Sequence, residues 1–259
     1  MTLYIKSTVR KLRAFRLYPK AGIASFLSKC GRLPLCSYAE NRLGDAVQEK
    51  VDRREQNLSL GWAKFGKLIR FKFLGISLIS FSLSEEEINV QQFYFYRSTS
   101  LLWDYLNELK GLGFEMPTKK GFLVFEPGCN CGGLLFNFAD HYGAKIHGAD
   151  IYEPAIKSAR KLDYLKEGHF ECADVIQSSY LKKFPDRHFD IVFVSSHFTH
   201  IMHVTGLENY INELKRVSSA IICVEIEKFS GREPMSSYLK TWGFNSFVKD
   251  DITYGHFSH

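Results

Sequence analysis

Apolar and polar positions divide the chain into three stretches, and the last is the most regular. Leu101, Leu102, Tyr105, Leu106 and Leu109 recur at helical spacing and predict a helix ending near Gly111. Beyond it, strands are expected at 122–125, 145–149, 169–172, 189–194, 220–224 and 245–248, with a last one near 253–257. Helical patterns at 134–141, 154–165, 207–217 and 236–242 fall between them. Repeated strand–helix alternation implies right-handed crossovers and a mainly parallel sheet buried on both faces. Residues 98–259 therefore read as a Rossmann-like α/β domain.

The preceding residues, 1–97, read as an extension with a different pattern. Residues 1–59 are loosely periodic and helical, with breaks around Pro19, Gly31 and Pro34. In 60–98, Phe and Ile alternate with polar residues about a pivot at Gly75, as in a hairpin of short strands. Ile5, Val9 and Leu12 fall on one helical face, with Arg10, Lys11, Arg13 and Arg16 spread round the rest.

Charge sharpens this division. The 259 residues carry a formal +6, but residues 1–72 hold 16 Lys/Arg against 5 Asp/Glu, and the first acid is Glu40. Three readings of the basic N-terminus stay open: a helix packed on the domain, an amphipathic helix on an anionic membrane, and a mitochondrial-type presequence. A cytoplasmic protein, with membrane-peripheral contact, is expected. No apolar run approaches the length of a spanning helix. The 45% hydrophobic content excludes a disordered chain. Six cysteines in no regular framework read as reduced thiols. A site built from Cys129, Cys131 and Cys172 matches no familiar zinc spacing, so no metal is expected.

The candidate chemistry lies at the ends of the predicted strands, where such sheets bind ligands. The first end reads Glu126-Pro127-Gly128-Cys129-Asn130-Cys131-Gly132-Gly133. Glycines allow a sharp turn and close backbone approach, and the next helix offers free N–H groups. An acid ahead of the loop would repel a phosphate and suit a cationic ligand. Asp150, at the end of the second strand, can accept two ribose hydroxyls. Asp174, after the third, can accept an exocyclic amine. Three acids at three successive strand ends describe a nucleoside with a positive charge and no phosphate.

Here the sequence resembles the class I S-adenosylmethionine-dependent methyltransferases, of polysaccharide or small-molecule type. The resemblance rests on 125–132, on Gly148-Ala149-Asp150-Ile151-Tyr152-Glu153-Pro154-Ala155-Ile156, on Ala173-Asp174-Val175, on Phe189-Asp190-Ile191-Val192-Phe193 and on Leu214-Lys215-Arg216-Val217. It implies a seven-stranded sheet with an antiparallel last strand, and S-adenosylmethionine as cofactor. It implies that Glu126, Gly128 and the loop through Cys129, Asn130 and Gly132 hold the methionine moiety. Asp150 would take the ribose, and Asp174 with Val175 the adenine; Ile151 and Ser195 complete the expected set. Asn130 departs from the usual middle glycine.

After the fourth strand, Ser195-Ser196-His197-Phe198-Thr199-His200-Ile201-Met202-His203 places three histidines in seven residues. His197 and His200 are candidate catalytic residues, since an imidazole suits proton removal from an acceptor hydroxyl. Packing or capping is the competing role for His200. Glu225 and Glu227 are alternative acceptors, or solvated acids. No Asn-Pro-Pro-Tyr-like stretch stands there, so the signature of amino-group DNA and glutamine methyltransferases is missing. A segment at 67–78 weakly resembles preambles of lipopolysaccharide- and capsule-modifying enzymes. The expected acceptor is a sugar of a glycan or lipid-linked saccharide. The alternatives are an RNA methyltransferase, for which no recognised RNA-binding motif is present, and a non-catalytic module that only binds the cofactor.

Overall fold

A computed structural model describes residues 2–30, 36–37, 68–74, 76–90, 99–202, 204–228 and 233–259. The breaks expected at Gly31 and Pro34, the pivot at Gly75 and His203 lie outside these residues. Helices α1 (Thr2–Leu17) and α2 (Pro19–Cys30) open the chain. A small antiparallel sheet follows, of β1 (Cys36–Ser37), β2 (Leu68–Phe73) and β3 (Ile76–Ser82). Helix α3 (Glu85–Asn89) starts at a capping box between Ser84 and Glu87. Helix α4 (Thr99–Lys110) then leads into the α/β domain.

The remaining elements run β4 (Leu123–Pro127), α5 (Gly133–Tyr142), β5 (Lys145–Asp150), α6 (Glu153–Leu162), β6 (Gly168–Cys172), α7 (Ser178–Lys182) and β7 (Phe189–Ser195). They continue with α8 (Phe198–Ile201), α9 (Leu207–Val217), β8 (Ser218–Ile226), α10 (Met235–Thr241), β9 (Asn245–Lys249) and β10 (Ile252–Ser258). The seven-stranded sheet has the order β6-β5-β4-β7-β8-β10-β9. The first five strands in that order pair parallel, and β10 runs antiparallel to both neighbours. The order reverses between β4 and β7, which places a crevice at the carboxyl ends of those strands.

Alternate residues of the central strands feed two cores. Val124, Phe193, Ile222 and Val224 face one apolar cluster, with Phe136 and Phe138 of α5. Phe125, Val192, Val194, Ile221 and Cys223 face the other, with Ile211 and Leu214 of α9. Because both faces are covered, these strands read as continuous apolar runs. Each buried Val, Ile, Leu or Phe contributes roughly 1.5–3 kcal/mol of transfer free energy.

One helix ends earlier than its pattern predicts, for a local reason. Helix α6 stops at Leu162 rather than Leu165, because Asp163 turns its carboxylate to the Glu167 and Gly168 N–H groups. In α1 the apolar stripe faces outward: Val9 and Leu12 are exposed, and Leu12 keeps 65% of its surface. Ser7, Arg10 and Ala14 are buried instead, with Arg10 fully so. Arg10 donates from Nε and Nη2 to the Asp140 carboxylate of α5, at 3.2 and 3.0 Å, and from Nη1 to the Leu162 carbonyl at 3.0 Å. Its guanidinium also lies 4.1 Å from the Phe136 ring centroid. Planar stacking and a forked set of donors let arginine, of all cations, occupy such a place. The basic helix is thus seated on the domain. Among the described residues no helix is long and apolar enough to cross a membrane.

Candidate active site

The β4–α5 loop is shaped by backbone conformations that few residues accept. Gly128, Asn130 and Gly132 have φ of 68°, 50° and 76°. A Cβ on Gly128 would stand 2.7 Å from His197 Nδ1, and one on Gly132 would stand 2.7 Å from the Phe170 ring. Both positions therefore require glycine, for space as well as for φ. Asn130 replaces a glycine without steric cost, since asparagine is among the few side chains that tolerate the left-handed region. Its own Oδ1 accepts the Cys131 N–H at 2.7 Å.

Asp150 fastens this loop to β5. Its Oδ2 accepts the Asn130 N–H and its Oδ1 the Tyr152 N–H, each at 2.8 Å. Burial pushes the Asp150 carboxyl up while these two bonds pull it down, with a net rise. A carboxylate has about four lone-pair sites, so two stay available for hydroxyl donors. The Ala149 carbonyl takes the Gly128 and Cys129 N–H groups at 2.8 and 3.1 Å, closing the turn. Glu126 is buried at the end of β4. Gly132 caps α5, and no side chain caps the helix, which leaves its positive end toward the crevice. Ile151 follows Asp150 and keeps 66% of its surface, an apolar lip at the same edge.

The other expected residues are placed less uniformly. The Cys129 thiol turns inward and packs beside Gly148, and burial raises its pKa well above the usual thiol range. Its contribution to the crevice is through the backbone. Val175 is buried in the core beneath α7. Asp174 is half-buried and accepts from the Ile176 N–H at 3.1 Å and from Gln177 Nε2 at 3.4 Å. Ser195 ends β7 beside Val224.

The histidine segment forms a shorter helix than its spacing suggests. Helix α8 spans Phe198–Ile201 and His197 is its N-cap. The His197 ring is wedged between Gly128 and Tyr210, with Nε2 3.0 Å from the Tyr210 hydroxyl. Burial, helped by neighbouring His200, lowers its pKa to about 3. Such a ring is neutral at neutral pH and a weak base. His200 is exposed at its outer edge, and the protein packed around it holds its pKa below the ordinary value. Tyr210 escaped the sequence reading, although a tyrosine on the buried face of α9 needs a partner for its hydroxyl.

Glu225 and Glu227 are neither solvated nor open to an acceptor. Both are buried helix caps. Glu225 accepts the Phe198 and Thr199 N–H groups at 2.9 and 3.2 Å, and also the Thr199 hydroxyl. Glu227 accepts the Ser236 N–H and hydroxyl, at 3.0 and 2.6 Å, and the Thr253 hydroxyl. Cys129, Cys131, Cys172 and Cys223 are free thiols.

With this geometry in view, residues 124–219 match the family model described as a methyltransferase domain. That stretch is 96 of the 259 residues, and it is similar to methyltransferase domains. Among solved structures, a co-crystal of WbdD with the kinase inhibitor LY294002 is 20% identical, with a TM-score of 0.46. That match covers 61% of this chain and 39% of WbdD, so the chain spans about two fifths of that protein. A SAM-dependent methyltransferase from Aquifex aeolicus is 16% identical over 61% of this chain and 98% of its own, with a TM-score of 0.42. The PH0226 protein from Pyrococcus horikoshii is 20% identical over 64% and 94%, with a TM-score of 0.47. No curated protein matches the chain.

Proposed function

We propose that the crevice at β4, β5 and β7 holds S-adenosylmethionine and that the methyltransferase O-methylates a sugar of a glycan or lipid-linked saccharide. The observation that carries this reading is the cradle itself. A loop turned by the left-handed conformations of Gly128, Asn130 and Gly132 is tied to Asp150, an acid with unused acceptor sites, beside an uncapped helix end and an apolar lip. That set fits a donor with a cationic, amino-acid end and a ribose. Glu126 and the loop from Gly128 to Gly132 would hold the methionine part, Asp150 the ribose, and Asp174 with Ile151 the base. Bound there, the cofactor supplies an activated methyl group on a sulfonium sulfur.

The chain's own part is positioning and proton removal. His197, neutral and locked between Gly128 and Tyr210, fixes the loop against α8 and α9. His200 is the imidazole with an edge open to an incoming hydroxyl, and in this reading it takes the acceptor proton. Residues 1–97 act as an extension that brings the domain to its acceptor. Peripheral membrane contact is supported by exposed Leu12, Phe15 and Phe26, with Lys11, Arg13 and Arg16 among them.

Incubating the full chain with methyl-labelled S-adenosylmethionine and with glycan, lipid-linked saccharide, RNA and protein fractions tests the assignment. Label is expected in the saccharide fractions, and His200→Ala should lower kcat by roughly 100-fold or more with donor affinity unchanged. Label in RNA alone, or in no fraction despite donor binding, overturns the acceptor assignment.

A further inference from the structure

A second cluster of coordinating side chains lies on the opposite face of β5 from Asp150. His147 and His169 are register partners on adjacent parallel strands β5 and β6, so both side chains leave the sheet on one face. Glu171, two residues past His169, joins them. Its Oε1 is 3.2 Å from His147 Nε2 and 2.8 Å from His169 Nε2. These three atoms lie within 4.8 Å of one another, the one such group of three among the described residues. We propose that His147 Nε2, His169 Nε2 and Glu171 Oε1 bind one divalent transition-metal ion of the zinc class, outside the methyl-transfer crevice and independently of its chemistry.

The donor set and its setting support this. Two imidazoles and one carboxylate suit zinc and its neighbours, and three protein ligands leave a position for water. The His147 ring is held edge-on by Phe125, Phe184 and Phe189, with centroids 5.3, 5.4 and 5.5 Å away, so it is fixed before any ion arrives. His169 is exposed and gives the ion a way in. Lys183 Nζ sits 2.6 Å from Glu171 Oε2, which leaves Oε1 on the side of the rings. The Tyr180 hydroxyl, 3.2 Å from His147 Nε2, is placed to accept from a bound water. Since β6 is the edge strand of the sheet, an ion here would tie that edge to β5.

The test is titration of the untagged, chelator-treated full chain with Co²⁺ and then Zn²⁺. One ion per chain is expected, with visible Co²⁺ bands that Zn²⁺ abolishes and a rise in Tm on saturation. His169→Ala and Glu171→Gln should each weaken binding by at least about tenfold while leaving the metal-free Tm close to that of the unaltered chain, because His169 is surface-exposed and Gln keeps the shape of Glu. Cys172→Ser and His188→Ala, which alter nearby exposed donors, should bind as the unaltered chain does. Absence of stoichiometric binding, or binding that survives His169→Ala and Glu171→Gln, overturns the assignment.

Discussion

At the scale of single residues the crevice depends on backbone conformation as much as on charge. Gly128→Ala would meet both a φ of 68° and the His197 ring at 2.7 Å. A loss of about 1–3 kcal/mol in stability and weaker donor binding are expected, measured by urea unfolding and calorimetry. The acids and glycines of this loop were legible because each stands at a predicted strand end. What Asn130 does was not, since spacing alone does not report φ. Glu225 shows the same limit: nothing local marks it as a buried cap of α8. Burial raises its carboxyl to about 7 from an unfolded value of 4.5. The folded state thus holds this proton more tightly, and the contribution is complete below pH 4.5 and lost as pH rises through about 7. A few kcal/mol at most ride on it (about 1.4 per pKa unit). His197, held at about 3, acts in the opposite sense below its ordinary 6.5. The comparison that isolates Glu225 is therefore Tm against pH for the unaltered chain and Glu225→Gln. The variant should lose less stability between about pH 5 and pH 8; parallel curves would contradict this account.

At the scale of elements, periodicity located nearly every strand and helix of the α/β domain, mostly to within two residues. Where both faces of a strand are buried, its apolar run is hard to mistake. The short helices α7 and α8 were missed, each barely more than a turn, too brief for a helical period to register. Helix α1 falls in a stretch that reads as helical, but which of its faces meets the domain was left open. Its inward face is fixed by Arg10, whose partners Asp140, Leu162 and Phe136 lie more than 120 residues along the chain, beyond any local pattern. Removing one member of a buried pair leaves the other charge without compensation. Arg10→Met should accordingly cost about 3–5 kcal/mol in denaturant unfolding and detach α1 from α5, seen as faster hydrogen exchange in 2–17. A change under about 1 kcal/mol would mean that the pair is not buried in solution.

At the scale of the whole molecule, the +6 charge resolves into a mildly acidic α/β domain and a basic leader. The domain's acids Glu126, Asp150 and Asp174 line the edge where a cationic donor would sit. The leader docks through Arg10, Lys6 and Arg13, and presents Lys11 and Arg16 at the surface with an exposed apolar row. Full chain is expected to sediment with anionic lipid vesicles, less so in high salt, and Leu12→Glu with Phe15→Glu should abolish it. Binding unaffected by either change would assign that row another role. The central claim is that the β4–α5 loop and Asp150 together form the donor site, and calorimetric titration of S-adenosylmethionine tests it most directly. The unaltered chain should bind one equivalent and Asp150→Ala none. Equal affinity of the two proteins, or no heat of binding to either, would contradict it.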